Sequence, residues 1–230
     1  MGFVSWLKEL FNPEPNAGLP MYSNGNPAKY DLDAAPPAYT AGPSAPVSQL
    51  SAGFSRVSFQ RTPGFPSQAI VGPPPCFDHD NSPVFLGSAH FSDGSIHPCK
   101  IAPALSPSVC RVPYGGRELE FSGPYDLLPF NPETMEFVPA AHGHIPKGRR
   151  AIEGGHEKNK DVKLYHAVAQ IRLGGGKVVR VPGKTAPQLS GCNVAWGGEE
   201  KVLRTNYEIL CWKEGFSPQD GKSAAAIHKT

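Results

Sequence analysis

Cys76, His79, Asp80, His90, His97, Cys99 and Cys110 are all zinc-ligand types. Their spacings form neither a Cys-x2–4-Cys nor a His-x3–5-His pair set, so metal binding is not expected and the histidines read as surface and loop residues. Catalytic signatures are absent too. No nucleophile elbow or Ser-His-Asp arrangement stands out, and Gly174-Gly175-Gly176-Lys177 lacks the spaced glycines and the Ser or Thr of a phosphate loop. The chemistry that does recur is carried by lysine, glutamate and aromatic side chains at matched places. Pro98-Cys99-Lys100 is echoed by Pro182-Gly183-Lys184, and Tyr114-Gly115-Gly116-Arg117-Glu118 by Trp196-Gly197-Gly198-Glu199-Glu200. The expectation is a binding protein with no cofactor, not an enzyme.

The echo extends further. Ala69-Ile70 opens the first copy and Ala151-Ile152 the second, 82 residues on, and Tyr125-Asp126-Leu127-Leu128 matches Tyr207-Glu208-Ile209-Leu210 at the same offset. A tandem repeat implies two similar units packed together, with two equivalent ligand sites or one shared site. The 25 glycines and 26 prolines favour short strands and turns over helices. In the first copy strands are expected at Ala69–Val71, Val84–Phe91, Ile96–Ile101, Val109–Tyr114, Arg117–Phe121 and Tyr125–Leu128, with an Asp93-Gly94 hairpin turn. In the second, Lys163–Arg172 and Lys177–Val181 flank a triple-glycine turn. The fold class is therefore all-β: two tandem antiparallel repeats related by pseudo-twofold symmetry, at 64–130 and 131–212, with a flexible tail at 213–230.

A Pro-rich tail precedes them. Phe3, Val4, Leu7, Leu10 and Phe11 suggest a short amphipathic helix over 1–11, stopped by Asn12-Pro13. Residues 12–63 carry too little apolar surface to offset their conformational entropy and read as disordered, apart from an edge strand at Phe54, Val57 and Phe59. Within them Pro36-Pro37-Ala38-Tyr39 fits the PPxY pattern of WW-domain ligands, making Pro36, Pro37 and Tyr39 candidate partner-binding residues. A net charge of +2 supplies no field for nucleic acid, and no run approaches the roughly 20 apolar residues of a membrane span. Five cysteines without an export signal point to free thiols and a cytoplasmic setting, with unconventional secretion or vesicle association also open.

The recurring elements resemble the DM-nine repeat, a domain of unknown function shared with invertebrate mannose-binding lectins and natterin-type proteins. The resemblance implies a mannose-type carbohydrate-binding protein that pairs as a homodimer, with a lysine and an acidic residue in each repeat. By position the lysines are Lys184 and Lys100. The acid is Glu157 in the second copy; the insertion Pro73-Pro74-Pro75-Cys76 leaves Asp78 as nearest match in the first, with Asp80 next. A carboxylate accepts from vicinal sugar hydroxyls and an ammonium donates to sugar oxygens. Two departures stand out: Ser88 and Val168 occupy a place often held by arginine, and the Pro-rich insertion reshapes the loop before the first candidate site. Two roles are open to Glu118 and Glu200: orienting the lysines, or satisfying backbone amides at the turns. Tyr114 and Trp196 are candidates for stacking on a sugar or for core packing, and Cys110 and Cys192 read as small buried hydrophobes. The alternative function is an interaction or trafficking adaptor recruiting WW-domain partners through the tail.

Overall fold

Paired glycines with positive φ set the hairpins. Gly115 (+61°) and Gly116 (+80°) turn the chain between β5 (Cys110–Tyr114) and β6 (Arg117–Phe121). Gly197 (+67°) and Gly198 (+84°) do the same between β13 (Gly191–Trp196) and β14 (Glu199–Leu203). Two consecutive left-handed residues match the twist of a two-residue hairpin and cost glycine little. β3 (Pro83–His90) and β4 (Ile96–Ile101) are joined through the expected Asp93-Gly94 turn, where Asp93 accepts from the Ser95 amide and hydroxyl at 3.0 and 2.7 Å. β7 (Tyr125–Leu128) returns to pair with β3, and β1 (Val57–Phe59) pairs with β7 as the expected edge strand.

The computed structural model describes residues 56–59, 65 and 68–216. The candidate helix at 1–11, the PPxY residues Pro36, Pro37 and Tyr39, and the tail from 217 onward lie outside these. In the second half β11 (Lys163–Arg172) has the bounds expected of it, and β12 (Val178–Ala186) runs past the expected Val181. β15 (Tyr207–Trp212) pairs with β11, and β8 (Met135–Ala140) pairs with β15. The continuous order is β1-β7-β3-β4-β5-β6-β14-β13-β12-β11-β15-β8, with Glu199 opposite Arg117 where β14 meets β6. Short strands β2 (Cys76–Phe77), β9 (Arg150–Ala151) and β10 (Glu153–His156) attach to β3, β15 and β11 respectively. β10 also reaches β4 through His156 opposite Ile96. The fold is all-β.

One expected strand is instead a helical turn. Gln68–Val71 forms α1, with Val71 buried and Ile70 exposed. Gly72 closes it at φ +72°, a left-handed C-terminal residue, and the three prolines that follow cannot donate to a ladder. The second copy lacks that block: Arg150–Ala151 is a strand, and the Ile152 amide donates to Leu210 O at 2.8 Å.

Apolar side chains gather in three places. One cluster lies within the first unit around Phe85, Ile101, Val112 and Leu127, and a second around Ile171, Val181, Val194 and Ile209. A third takes Leu86 and Leu128 from the first unit with Ile152, Val168 and Leu210 from the second, so the units share a core. Period-two alternation explains the division: Ala167 and Ala169 face one cluster and Val168 the other. Cys110 and Cys192 are fully buried, as expected of small hydrophobes, and all five cysteines are free thiols.

Candidate functional site

Lys100 on β4 and Lys184 on β12 are each only 4% exposed. Burial of an ammonium requires partners, and those partners come from both units. Glu118 Oε1 lies 3.1 Å from Lys100 Nζ, while Glu118 Oε2 accepts from the Gly198 amide at 2.9 Å. Glu200 Oε1 lies 3.6 Å from Lys184 Nζ, while Glu200 Oε2 accepts from the Gly116 amide at 2.8 Å. Each glutamate thus grips its own lysine with one oxygen and the opposite hairpin tip with the other. Both roles open to these residues are filled at once. The rings cross over in the same way: Lys100 Nζ stands 5.4 Å from the Trp196 centroid and Lys184 Nζ 5.5 Å from that of Tyr114.

The surroundings of the two lysines differ. Lys100 Nζ also donates to Ala195 O at 3.1 Å. Lys184 Nζ instead lies 3.4 Å from His97 Nδ1, and Asn193 Nδ2 donates to Glu200 Oε1 at 2.8 Å. Burial pulls the Lys184 ammonium below its ordinary value, against the opposing charges of Glu200 and Glu157. Glu157, its side chain 37% exposed, has Oε2 3.9 Å from His97 Nε2. Lys184, Glu157, Glu200, His97 and Tyr114 therefore form one acid-lined, aromatic-walled group.

The first unit's acidic loop is put to other uses. Asp78 holds the place of Glu157, since its amide donates to Ser82 O as that of Glu157 does to Val162 O. Its carboxylate accepts from the His79 amide at 2.6 Å and lies 2.8 Å from His79 Nδ1. The His79 ring meets Trp196 edge-on at 6.5 Å. Asp80 is a turn residue: bonds from the Ser82 hydroxyl and amide hold its carboxyl below the usual range.

Reading the first copy's histidines as surface residues needs correction at His97, and His166 of the second copy is buried as well. His97 is 1% and His166 0% exposed. His97 shares the inward phase of β4 with Cys99 and Ile101, and that alternation is the signal that could have found it. Burial, with the Lys184 charge, pushes His97 down to about 4, so it is neutral at pH 7 and accepts from Lys184. Its Nε2 lies 3.1 Å from Ser95 Oγ, which in turn donates to Asp93.

Arg56 was also missed. Its guanidinium donates to Ser88 Oγ (2.7 Å), Asp126 Oδ1 (2.8 Å) and Glu153 O (2.6 Å), and lies 3.1 Å from His166 Nε2. The Ser88 position thus meets a guanidinium delivered from the leading strand. A cavity of about 540 Å³ beside it is lined in part by Arg149, Arg150, Tyr165 and Trp212. Its arginines are engaged: Arg149 with Glu136 and Glu214, both at 3.0 Å, and Arg150 with Phe216 O. Among the described residues no three His, Cys, Asp or Glu side chains are grouped to hold a metal, and no helix is long and apolar enough to cross a membrane.

Comparison with known proteins bears on this geometry. No curated protein matches the chain. Among solved structures, the nematode sperm cell motility protein MFP2B is similar at 19% identity and a TM-score of 0.49, over 81% of this chain and 55% of that one. The chain thus spans about half the length of that structure's chain. The family model of the DM9 repeat matches residues 78–179, from the Asp78 loop into β12. That family is linked to carbohydrate-binding, lectin-like proteins. The resemblance to the DM-nine repeat thus holds over residues 78–179 of the chain.

Proposed function

We propose that this protein is a non-catalytic, mannose-type carbohydrate-binding protein. The observation that carries the reading is the Lys184 group. A buried ammonium, two carboxylates and the 39%-exposed Tyr114 ring converge there from both units. An ammonium donates to hydroxyl and ring oxygens, and the half-exposed Glu157 accepts from vicinal hydroxyls. Hydrogen bonds with a charged partner contribute about 1.5–3 kcal/mol each. Few, fixed polar groups against an apolar wall suit a neutral sugar.

Calorimetric titration of the full chain with mannose-terminated glycans tests this. Replacing Lys184 and Glu157 together by alanine should weaken binding roughly a hundred-fold, the loss of about 3 kcal/mol. Equal affinity in the double variant, or no binding by the unaltered protein, would refute the assignment.

A further inference from the structure

Two buried side-chain atoms among the described residues have no hydrogen-bond partner, His166 Nδ1 and Asn193 Oδ1. Both belong to the cross-strand row of Lys184: His166 is opposite Lys184 on β11, and Asn193 is opposite it on β13. Their proton positions follow from their other contacts. A guanidinium can only donate, so His166 Nε2 accepts from Arg56 and Nδ1 carries the proton. Ionised Glu200 can only accept, so the Asn193 amide turns its nitrogen to Glu200 and leaves Oδ1 as an unspent acceptor. Across the row stand a donor, an ammonium and an acceptor.

The equivalent row of the first unit is Leu86, Lys100 and Arg111. Arg111 donates to Ser108 O at 2.5 Å and Ser106 O at 3.1 Å, and pairs with Glu120 at 3.3 Å, so nothing there waits for a ligand. The lysines differ accordingly. Lys100 is held by two partners at 3.1 Å, whereas Lys184 has its nearest at 3.4 and 3.6 Å.

We propose that each chain has one carbohydrate subsite, at Lys184, with Asn193 as its specificity-determining residue and Lys100 a structural tie. A sugar hydroxyl is donor and acceptor together. It accepts from Lys184 Nζ and donates to Asn193 Oδ1, completing both groups. This rests on the proposed carbohydrate reading and goes beyond it in the number of sites and the residue that selects the hydroxyl.

The test is calorimetry of the full chain with methyl α-mannoside and its four monodeoxy analogues. The unaltered protein should bind one equivalent per chain, and one deoxy analogue should bind about ten-fold more weakly than the parent. In Asn193→Leu, or in Asn193→Ser if leucine disturbs the near-ultraviolet circular dichroism, affinity for the parent should drop about ten-fold. In that variant the same deoxy analogue should bind no worse than the parent, a coupling that a merely structural asparagine would not produce. Two equivalent sites per chain, or a deoxy penalty that survives the substitution, overturns the single-subsite proposal while leaving carbohydrate binding intact. Absence of any binding by the unaltered protein overturns both.

Discussion

Taking the protein from pH 7 to pH 4.5 should remove about 2–3 kcal/mol of folding stability through His97 alone. In the folded chain burial holds this imidazole at about 4, against an ordinary value near 6.5. Between those two values the unfolded chain takes up a proton that the folded chain refuses. Stability is therefore full above about 6.5, falls with pH through the window and levels off below about 4. Lys184 and His156 reinforce the effect, while Asp93 and Glu200 oppose it. His166, fully buried and beside Arg56, is also held well below its ordinary value and adds in the same direction. Asp80 and Asp93 are held below the usual carboxylate range, so they contribute only at still lower pH.

Urea unfolding at pH 7, 5.5 and 4.5 measures this, and a His97→Gln variant should show a shallower pH slope on a lower baseline. A midpoint that stays constant across the window would remove both histidines from the account. Sugar binding by the folded protein should hold through most of that window and weaken only as the pH nears about 4, where His97 takes up its proton and sets a second cation 3.4 Å from the Lys184 ammonium.

What could be read from the amino acids was whatever a short stretch of chain decides for itself. The Gly115-Gly116 and Gly197-Gly198 turns follow from the need for positive φ, and β11 from its alternating apolar residues. The matched lysines and glutamates were visible because repetition displays them. Which partner each would meet was not. Tyr114 belongs to the first copy yet lies over Lys184 of the second, and Trp196 lies over Lys100. Comparing the copies pairs each aromatic with its own lysine; only the approach of the two hairpin tips exchanges them. Arg56 was hidden for a related reason. It sits in a Pro-rich lead whose composition suggests little structure, while its four-way binding to β3, β7, β10 and β11 depends wholly on tertiary contacts. The helical turn at Gln68–Val71 depends on Gly72 and the prolines behind it, which a match to Ala151-Ile152 conceals.

Gly183→Ala should cost about 3 kcal/mol and disable the Lys184 site with it. A Cβ at this position would stand 2.1 Å from Asn193 O and 2.8 Å from Val194 Cγ1. Asn193 O is backbone within a paired strand, so it cannot swing aside as a side-chain end would. The first unit shows what a side chain here entails. Its counterpart is Cys99, and the β4–β5 ladder there has only two pairs, Lys100 with Arg111 and Ile101 with Cys110. Glycine allows β12 and β13 two more steps of contact counted over the whole ladder: Gly183 pairs with Val194, Lys184 with Asn193, Thr185 with Cys192 and Ala186 with Gly191. Pushing β13 away would draw Asn193 from its 2.8 Å bond to Glu200 and loosen the carboxylate that faces Lys184. The variant should melt roughly 6–12 °C lower and bind sugar weakly even where it remains folded. Gly174→Ala is the matched control, since a Cβ there meets nothing within 4 Å. If the two substitutions proved equally mild, close approach of β13 at Gly183 would not be what builds the second unit's site.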